Sequence, residues 1–406
     1  MSGLHFHRLT IAQAQQEAED AVVLRFDVPP ELAQTFAFLP GQYLTLRQGA
    51  GVGVGVGADL GGDDLRRSYS ICAAPGESLR VGVRLVPGGA FSSGVGAGLR
   101  AGDSLDVMPP VGRFGASLAG HSGPRHVLLV AGGSGITPLL SILKCVLRDE
   151  AGSRATLLYG NRTAASTMFR EELEDLKNRY MQRLVLHHVF SDEPSGDDGP
   201  HGAAHLPSEG TASRLGPARR QDAPLNTGVM NRDKLGEFLA SLVPAASIAH
   251  AYICGPFQMN DEAEAALLAA GVPEDRVHIE RFGVAPQAGA AVGAGLGAGL
   301  GAILHEAQPG DAEEARIVIV RDGLRREIIF RKQQPSILDA AAAAGLEVPF
   351  SCTSGVCGTC RAKLLEGEVR MERNFALDKA EVAAGFVLCC QAHPLTERVV
   401  LSFDER

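Results

Sequence analysis

Five of the eight cysteines lie within the last 55 residues, and their spacing constrains the fold more than any other feature. Cys352, Cys357 and Cys360 form a Cys-x4-Cys-x2-Cys run, and the adjacent Cys389 and Cys390 follow downstream. The other three cysteines are scattered along the chain. This clustering favours a thiolate metal site in a reducing compartment over a framework of disulfides. We therefore expect a cytoplasmic protein whose last part is organised around bound metal.

The spacing favours an iron–sulfur cluster. A Cys-x4-Cys-x2-Cys run with a distant fourth cysteine is the plant-type [2Fe–2S] spacing, and four soft thiolates suit the two irons. Gly355 and Gly358 allow the loop to turn tightly, so that backbone N–H groups reach the cluster sulfurs. Zinc is the alternative, but zinc ribbons usually pair two Cys-x2-Cys knuckles, and this region contains one.

Composition limits the remaining possibilities. A chain of 406 residues holds two to four domains at roughly 100–200 residues each. The formal net charge is −9 and there is no basic block, so we expect no nucleic-acid partner. No apolar leader opens the chain, and the long uncharged stretch at 284–304 is mainly Gly and Ala. A linker is expected there rather than a membrane span.

The pattern of apolar residues and turns divides the chain into three folded modules. Residues 1–120 contain short strands separated by Pro-Gly turns, which predicts an antiparallel β-barrel. Residues 121–283 alternate strands with amphipathic helices, which predicts a doubly wound α/β domain, with a flexible polar insertion at 193–224. A Gly/Ala-rich linker at 284–313 leads to an α+β domain at 314–406, which contains the cysteines. A Gly-Val tract at 49–62 is expected to form a long loop.

Local signals predict individual elements. The predicted strands are 21–28, 43–47, 70–72, 79–86, 155–159, 184–190, 249–254, 317–320 and 327–330. A helix is predicted after 136, with Thr137 as its N-cap and Pro138 as its first residue. Further helices are predicted at 169–180 and 262–270. Ser336 is expected to cap another.

Residues 67–70, Arg-Ser-Tyr-Ser, form the second chemical motif. Alone, this string indicates only an edge strand. It gains weight because it follows PGQYLTL and precedes GGAFSSG and PPVGRFG. A guanidinium fork suits a diphosphate, and a planar phenol suits the face of a flavin.

A glycine-rich turn, GGSGITP, joins a strand to a helix at 132–138. A tight structural turn is the alternative interpretation. A glycine turn that opens a helix is nevertheless an anion site, because free N–H groups and the helix dipole point at the ligand. The next strand ends in Tyr159-Gly160-Asn161-Arg162, and no Asp or Glu lies between 155 and 169. An arginine there favours the 2′-phosphate of NADPH, with a solvated surface arginine as the alternative.

Two family resemblances follow from these motifs. The segment SCTSGVCGTC with the later VLCCQ closely resembles the plant-type ferredoxin domain. In that family the fourth ligand directly precedes Gln, which implies the metal ligands Cys352, Cys357, Cys360 and Cys390. The first two modules resemble the ferredoxin–NADP reductase superfamily.

The reductase resemblance implies a role for each matching residue. Arg67 would contact the FAD pyrophosphate, Tyr69 would pack on the isoalloxazine, and Ser70 would lie near N5. Ser70 and Cys254 are the candidate catalytic residues, although a reactive thiol at Cys254 is disfavoured because no His–Asp pair accompanies it. The remaining candidate cofactor-binding residues are Ser68, Gly89, Ser92, Gly133, Ser134, Gly135, Thr137, Arg162, Gly255, Pro256 and Phe282.

The order flavin, nicotinamide, iron–sulfur most resembles the reductase subunits of the phenylacetyl-CoA epoxidase family. This resemblance implies transfer of electrons from NADPH to FAD, to the [2Fe–2S] cluster and then to a di-iron oxygenase in phenylacetate degradation. A reductase for a steroid or ring hydroxylase with the same modules is the alternative. A redox sensor or scaffold with a degenerate flavin site is a second one, which the intact Arg-Ser-Tyr-Ser motif disfavours.

Overall fold

The computed structural model describes residues 5–48, 65–119 apart from 88, 90, 93 and 95–97, then 123–192, 225–283 and 307–405. The predicted Gly-Val loop, the polar insertion at 193–224 and most of the predicted linker lie outside these residues. No described helix is long and apolar enough to cross a membrane.

The first module is an antiparallel sheet that closes on itself. Its six strands are β1 (His7–Ala18), β2 (Ala21–Asp27), β3 (Tyr43–Gln48), β4 (Leu65–Ser70), β5 (Arg80–Arg84) and β6 (Ser104–Val107). They are arranged in the order β4-β3-β6-β1-β2-β5. A bridge between Ile71 and Val81 joins the two outer strands. This bridge brings the two outer strands together, as the predicted barrel requires.

The β3–β4 hairpin sets the geometry of the barrel's functional end. Its register pairs Tyr43 with Ser70 at one end and Gln48 with Leu65 at the other. Tyr43 is also fixed to Val111, because the backbone N–H of each donates to the carbonyl of the other at 2.8 and 3.1 Å. The end that carries Tyr43 and Ser70 is therefore held from both sides.

The second module is the predicted parallel α/β domain. Its strands are β7 (His126–Gly132), β8 (Arg154–Asn161), β9 (Leu184–Phe190), β10 (Ile248–Gly255) and β11 (Val277–Arg281), in the order β11-β10-β7-β8-β9. Its helices are α1 (Ile136–Asp149), α2 (Arg170–Arg179), α3 (Arg232–Ser241) and α4 (Phe257–Ala269). These strands pair in parallel, so their carboxyl ends share one edge, where ligands bind in such folds.

The third module is a mixed sheet with a short helix against it. It comprises β12 (Glu314–Arg321), β13 (Leu324–Arg331), α5 (Ile337–Ala343), β14 (Arg361–Glu366), β15 (Val369–Met371), α6 (Lys379–Ala383), β16 (Phe386–Leu388), β17 (Ala392–Pro394) and β18 (Arg398–Ser402). The main sheet has the order β13-β12-β18-β14-β16, with β12 and β18 parallel. The strands predicted at 317–320 and 327–330 are confirmed and pair as an antiparallel hairpin. The predicted Ser336 cap is also confirmed, since its side chain accepts a hydrogen bond from the Asp339 N–H.

Two local predictions are wrong, and one strand was not predicted. Helix α1 begins at Ile136 with Gly135 as its N-cap, and Thr137 lies inside the first turn, where its hydroxyl donates to the Ser134 carbonyl at 2.9 Å. The strand expected at 70–72 ends at Ser70 instead of beginning there. The twelve-residue β1 has no counterpart among the predicted strands.

Candidate functional site

The Arg-Ser-Tyr-Ser motif lies on β4 and presents a cation beside a planar ring. The Tyr69 ring packs on Phe91, with ring centroids 5.6 Å apart. The Arg67 guanidinium donates to the Arg66 carbonyl at 2.7 Å and has no carboxylate partner among the described residues. An unneutralised guanidinium beside an aromatic face fits a ligand that joins a diphosphate to a flat ring system, as FAD does.

Gly89 lies in the turn after β5, and Ser92 lies in the helical segment that follows it. The Ser92 hydroxyl is buried and accepts from the Val86 N–H at 3.2 Å. A Cβ added to Gly89 would lie 2.5 Å from that hydroxyl. The turn therefore requires glycine at position 89 for packing. The hydrogen bond from the Val86 N–H to the Ser92 hydroxyl stabilises the turn.

The end of β11 brings an acid to the motif. The Ser70 hydroxyl donates to the Glu280 carboxylate at 3.2 Å, across 210 residues of sequence. Burial raises the pKa of Glu280 to about 8, although the hydrogen bond from Ser70 acts in the opposite direction. Burial, with a smaller effect of Glu280, also raises the pKa of the fully buried Cys254 thiol. Cys254 is therefore a neutral thiol, which argues against a nucleophile.

In this segment the sequence motifs predicted a role for Phe282 and none for Glu280. Phe282 is 47% exposed and lies two residues beyond Glu280. The position of Glu280 could have marked it as a site residue. Glu280 lies near the end of a parallel strand, and its register partner on the neighbouring strand β10 is Cys254.

The glycine turn and the Cys254 segment pack directly on each other. A Cβ on Gly135 would collide with the Cys254 carbonyl oxygen, and one on Gly255 would collide with the Met259 side chain. Gly133 has a φ of +53°, and its carbonyl accepts from the Tyr159 hydroxyl at 3.1 Å. Ser134 lies in the same turn. Pro256 is the N-cap of α4 and packs on Gly132, so two helices begin beside this turn and each has free N–H groups at its start.

Arg162 follows β8 and is 65% exposed at its side chain. The sequence showed no acid near it, but the structure places Asp20, from the β1–β2 turn, 3.4 Å from its guanidinium. Asp20 also pairs with Arg84 at 2.5 Å. The three groups together carry one net positive charge.

The cysteine loop arranges its thiols in two pairs. The Cys352 sulfur accepts from the Cys357 N–H at 3.2 Å, and the hydrogen bond with the Cys357 side chain lowers the pKa of Cys352 to about 5. Cys360 and Cys390 form the other hydrogen-bonded pair, which raises the pKa of Cys360. No three metal-ligating side chains converge on one point in the described ranges. Two thiol pairs fit a cluster of two irons better than one zinc ion.

The loop backbone also fits a cluster. Gly355 and Gly358 have φ values of +79° and +71°, and the Thr359 N–H points at the Cys357 sulfur at 3.5 Å. Cys389 and Cys390 lie in a turn after β16. The Cys389 side chain is buried in the module's core, whereas Cys390 faces Cys360.

The three modules meet at the cysteine loop. The Ser68 hydroxyl donates to the Ser351 hydroxyl at 2.9 Å. The Arg66 guanidinium lies 4.1 Å from the centroid of the Phe350 ring and 3.7 Å from the Glu347 carboxylate. Further contacts are ion pairs of Arg113 with Glu381 at 2.9 Å and of Glu274 with Lys379 at 2.8 Å. The cysteine loop therefore lies against the motif strand β4.

Comparison with known proteins agrees with these modules. The model of the oxidoreductase NAD-binding domain matches residues 129–207, and that of the 2Fe-2S iron-sulfur cluster binding domain matches residues 319–395. A component of the 1,2-phenylacetyl-CoA epoxidase of Escherichia coli K12 is 38% identical over 403 residues, which cover 99% of this chain and 98% of the relative. The chain belongs to this family of oxygenase reductases. The reductase component of 3-ketosteroid-9-alpha-monooxygenase from Rhodococcus rhodochrous is 30% identical, with 97% and 96% coverage.

Solved structures share the reductase's fold. Phthalate dioxygenase reductase matches with a TM-score of 0.52 at 23% identity, over 98% of both chains. A type IV self-sufficient cytochrome P450 monooxygenase matches with a TM-score of 0.61 at 20% identity, over 98% of the reductase and 41% of that chain. The reductase is thus an oxidoreductase with nicotinamide, flavin and [2Fe–2S] modules that passes electrons to an oxygenase component.

Proposed function

We propose that the reductase passes electrons from NADPH through FAD and a [2Fe–2S] cluster to the di-iron oxygenase component of a phenylacetyl-CoA epoxidase. The 38% identity with the epoxidase component of Escherichia coli, over nearly the full length of both chains, carries this proposal. The contact between β4 and the cysteine loop supports it, because the two redox sites are adjacent.

FAD supplies the conversion between two-electron and one-electron chemistry. Arg67 would bind its pyrophosphate, and the turn at Gly89 with Ser92 beside it would let the backbone approach the phosphates. Tyr69 and Ser68 would line the flavin, while Ser70 would hold a hydrogen-bond position near its reacting edge. Glu280 would keep a proton behind Ser70 at neutral pH, since burial raises the pKa of this carboxyl to about 8.

The nicotinamide nucleotide would bind at the shared carboxyl edge of the parallel strands. Gly133, Ser134, Gly135 and Thr137 would surround its pyrophosphate at the start of α1. The segment of Cys254, Gly255 and Pro256 would lie beside the nicotinamide ring, with Phe282 nearby. Cys352, Cys357, Cys360 and Cys390 would bind the cluster. The cytoplasmic location stays a prediction.

The preference for NADPH is assigned to Arg162, whose charge Asp20 partly neutralises. Arg162→Ala should raise KM for NADPH roughly tenfold and leave KM for NADH nearly unchanged, as the loss of a charged hydrogen bond implies. Steady-state kinetics with both nucleotides measure this. Arg170→Ala is the control, because Arg170 is also exposed but pairs with Glu174 on α2. Equal losses for both nucleotides would remove Arg162 from this role.

The identity of the acceptor is tested by reconstitution. The purified reductase and the oxygenase components of a phenylacetyl-CoA epoxidase, mixed with phenylacetyl-CoA, O2 and NADPH, should give one epoxide and one water for each NADPH consumed. The second candidate acceptor, a steroid monooxygenase, is supported by the 30% identical relative. Product formation only with the steroid monooxygenase would replace the proposed acceptor and leave the electron path within the chain unchanged.

A further inference from the structure

Tyr43 joins the flavin end of the barrel to the cysteine loop. It is the first residue of β3, it is 6% exposed, and its register partner on β4 is Ser70. Its hydroxyl donates to the Cys357 carbonyl and lies 3.1 Å from the Thr359 hydroxyl, across more than 300 residues of sequence. One side chain therefore spans the distance between the candidate flavin site and a candidate cluster ligand.

The surroundings leave space for the ring at this position. Gly112 has a φ of +117°, and a Cβ there would lie 3.1 Å from the Tyr43 ring. The ring borders a cavity of about 360 Å³ at the junction of the three modules, which Glu280 and Cys357 also line. Tyr43 crosses from this cavity's barrel wall to the third module beside the ion pair of Arg113 with Glu381.

We propose that Tyr43 is a positioning residue for electron transfer: its hydroxyl fixes the cysteine loop against the flavin end of the barrel. The proposal rests on the proposed electron path from flavin to cluster. It differs from the assigned roles because Tyr43 holds the third module in place and binds no cofactor.

The hydroxyl matters because its hydrogen bond to the Cys357 carbonyl joins two modules and is made only when they are docked. Within the described part of the chain, no other donor reaches the Cys357 carbonyl. Removing the donor removes a hydrogen bond that favours the docked arrangement over the separated one. Tyr43→Phe, which keeps the ring, should therefore lower the docked fraction and the rate of cluster reduction by roughly tenfold.

Stopped-flow absorbance of the holoenzyme measures cluster reduction after mixing with NADPH, with flavin reduction in the same trace as reference. Tyr43→Phe and Thr359→Val should each slow the cluster step, and the double variant should be no slower than Tyr43→Phe, because both remove one network. Thr359→Ser keeps the hydroxyl, so its cluster should be reduced at the wild-type rate. Tyr180→Phe is the matched control, since Tyr180 packs on Arg183 within the second module.

A second readout measures docking without electron transfer. The Lys379 amine lies 2.8 Å from the Glu274 carboxylate, and both side chains are exposed. A water-soluble carbodiimide should therefore join them by an amide bond in the docked holoenzyme, detected as a cross-linked peptide by mass spectrometry. The yield should fall several-fold in Tyr43→Phe and stay at the wild-type level in Tyr180→Phe.

Slower cluster reduction together with a lower cross-link yield supports the proposal. An unchanged rate overturns it, and so does a slower rate with an unchanged yield, because the hydroxyl would then act without positioning the module. If the proposed electron path is wrong, NADPH will fail to reduce the cluster of the wild-type protein, while the cross-link comparison still reports whether Tyr43 docks the loop.

Discussion

At the scale of single residues, the surroundings of Glu280 change the pKa of its carboxyl group. Ser70, Tyr43 and Cys254 surround it, and none of them carries a positive charge. Burial therefore raises the pKa of Glu280 to about 8, and the carboxyl is neutral at pH 7. A neutral acid beside Ser70 can hold a proton there without repelling the negative charge that reduction adds to a flavin.

Glu280 should give flavin reduction a specific pH dependence. Above pH 8 the carboxyl ionises, and its charge opposes reduction, so the wild-type rate with NADPH should fall as pH rises through 8. Glu280→Gln cannot ionise and should show no such fall. Stopped-flow rates between pH 6.5 and 9.5 measure this. The same inflection in the Gln variant would assign it to another group.

The adjacent cysteines provide a matched pair of variants. Cys390→Ser should abolish or badly destabilise the cluster, because a hydroxyl is a harder ligand than a thiolate. Cys389→Ser should retain it, because the Cys389 side chain packs in the core and Cys390 faces Cys360. Iron content and the visible spectrum of each variant measure the outcome. Loss of the cluster in Cys389→Ser alone would reverse the assignment.

The sequence could identify functional residues within short motifs. It could not identify residues that are far apart in the chain and become neighbours only in the folded protein. The cysteine run and the Arg-Ser-Tyr-Ser string each carry their chemistry within a few residues. Asp20, Tyr43 and Glu280 reach their partners across 142, more than 300 and 210 residues respectively. No local pattern marks such residues, because their roles depend on how the modules face one another.

At the scale of elements, the glycine turn before α1 serves packing as well as anion binding. The Cys254 carbonyl leaves no space for a side chain at Gly135. The spacing alone suggested a phosphate site, yet the structure gives an independent reason for glycine at this position.

Gly135→Ala should therefore destabilise the second module by roughly 1–3 kcal/mol, the usual cost of overpacking. Gly236→Ala is the control, because Gly236 lies within α3 and a Cβ there would meet nothing within 4 Å. That change should stabilise the helix by roughly 0.5–1 kcal/mol. Urea unfolding of both variants measures the difference, and equal stabilities would contradict the packing argument.

Elements with a clear apolar period were predictable, and polar ones were not. Strand β9 has the predicted limits, and the apolar face of α1 is buried as expected. Strand β1 was missed because, after Leu9 and Ile11, it has no fully buried residue and its sequence shows no regular apolar alternation. Strand β4 was placed too late because its arginines and serines resemble a loop.

At the scale of the whole molecule, the tether between the second and third modules should control the internal electron path. Its 28 residues from 284 to 311 would span roughly 30 Å as a Gly-rich coil. The tether ends at Asp311, which is held by Arg370 at 2.6 Å. Residues 314–406 carry 13 acidic and 13 basic side chains, so net charge gives the third module little steering.

Cutting this tether should slow flavin-to-cluster transfer sharply at micromolar protein, because docking becomes bimolecular. Stopped-flow absorbance before and after proteolysis measures the change. Raising the concentration of the cut protein should restore the rate, and an unchanged rate at micromolar concentration would exclude a tether effect.

The register of β3 and β4 has a consequence for engineering. Gln48 and Leu65 are direct partners, so the sixteen residues between them begin and end at one rung of the ladder. A two-residue Asn-Gly turn joins such partners without changing the register. The Tyr43 and Ser70 end lies five rungs away, roughly 17 Å along the strands. This position can therefore accept a shortened turn or an affinity tag while the far end of the hairpin keeps its shape.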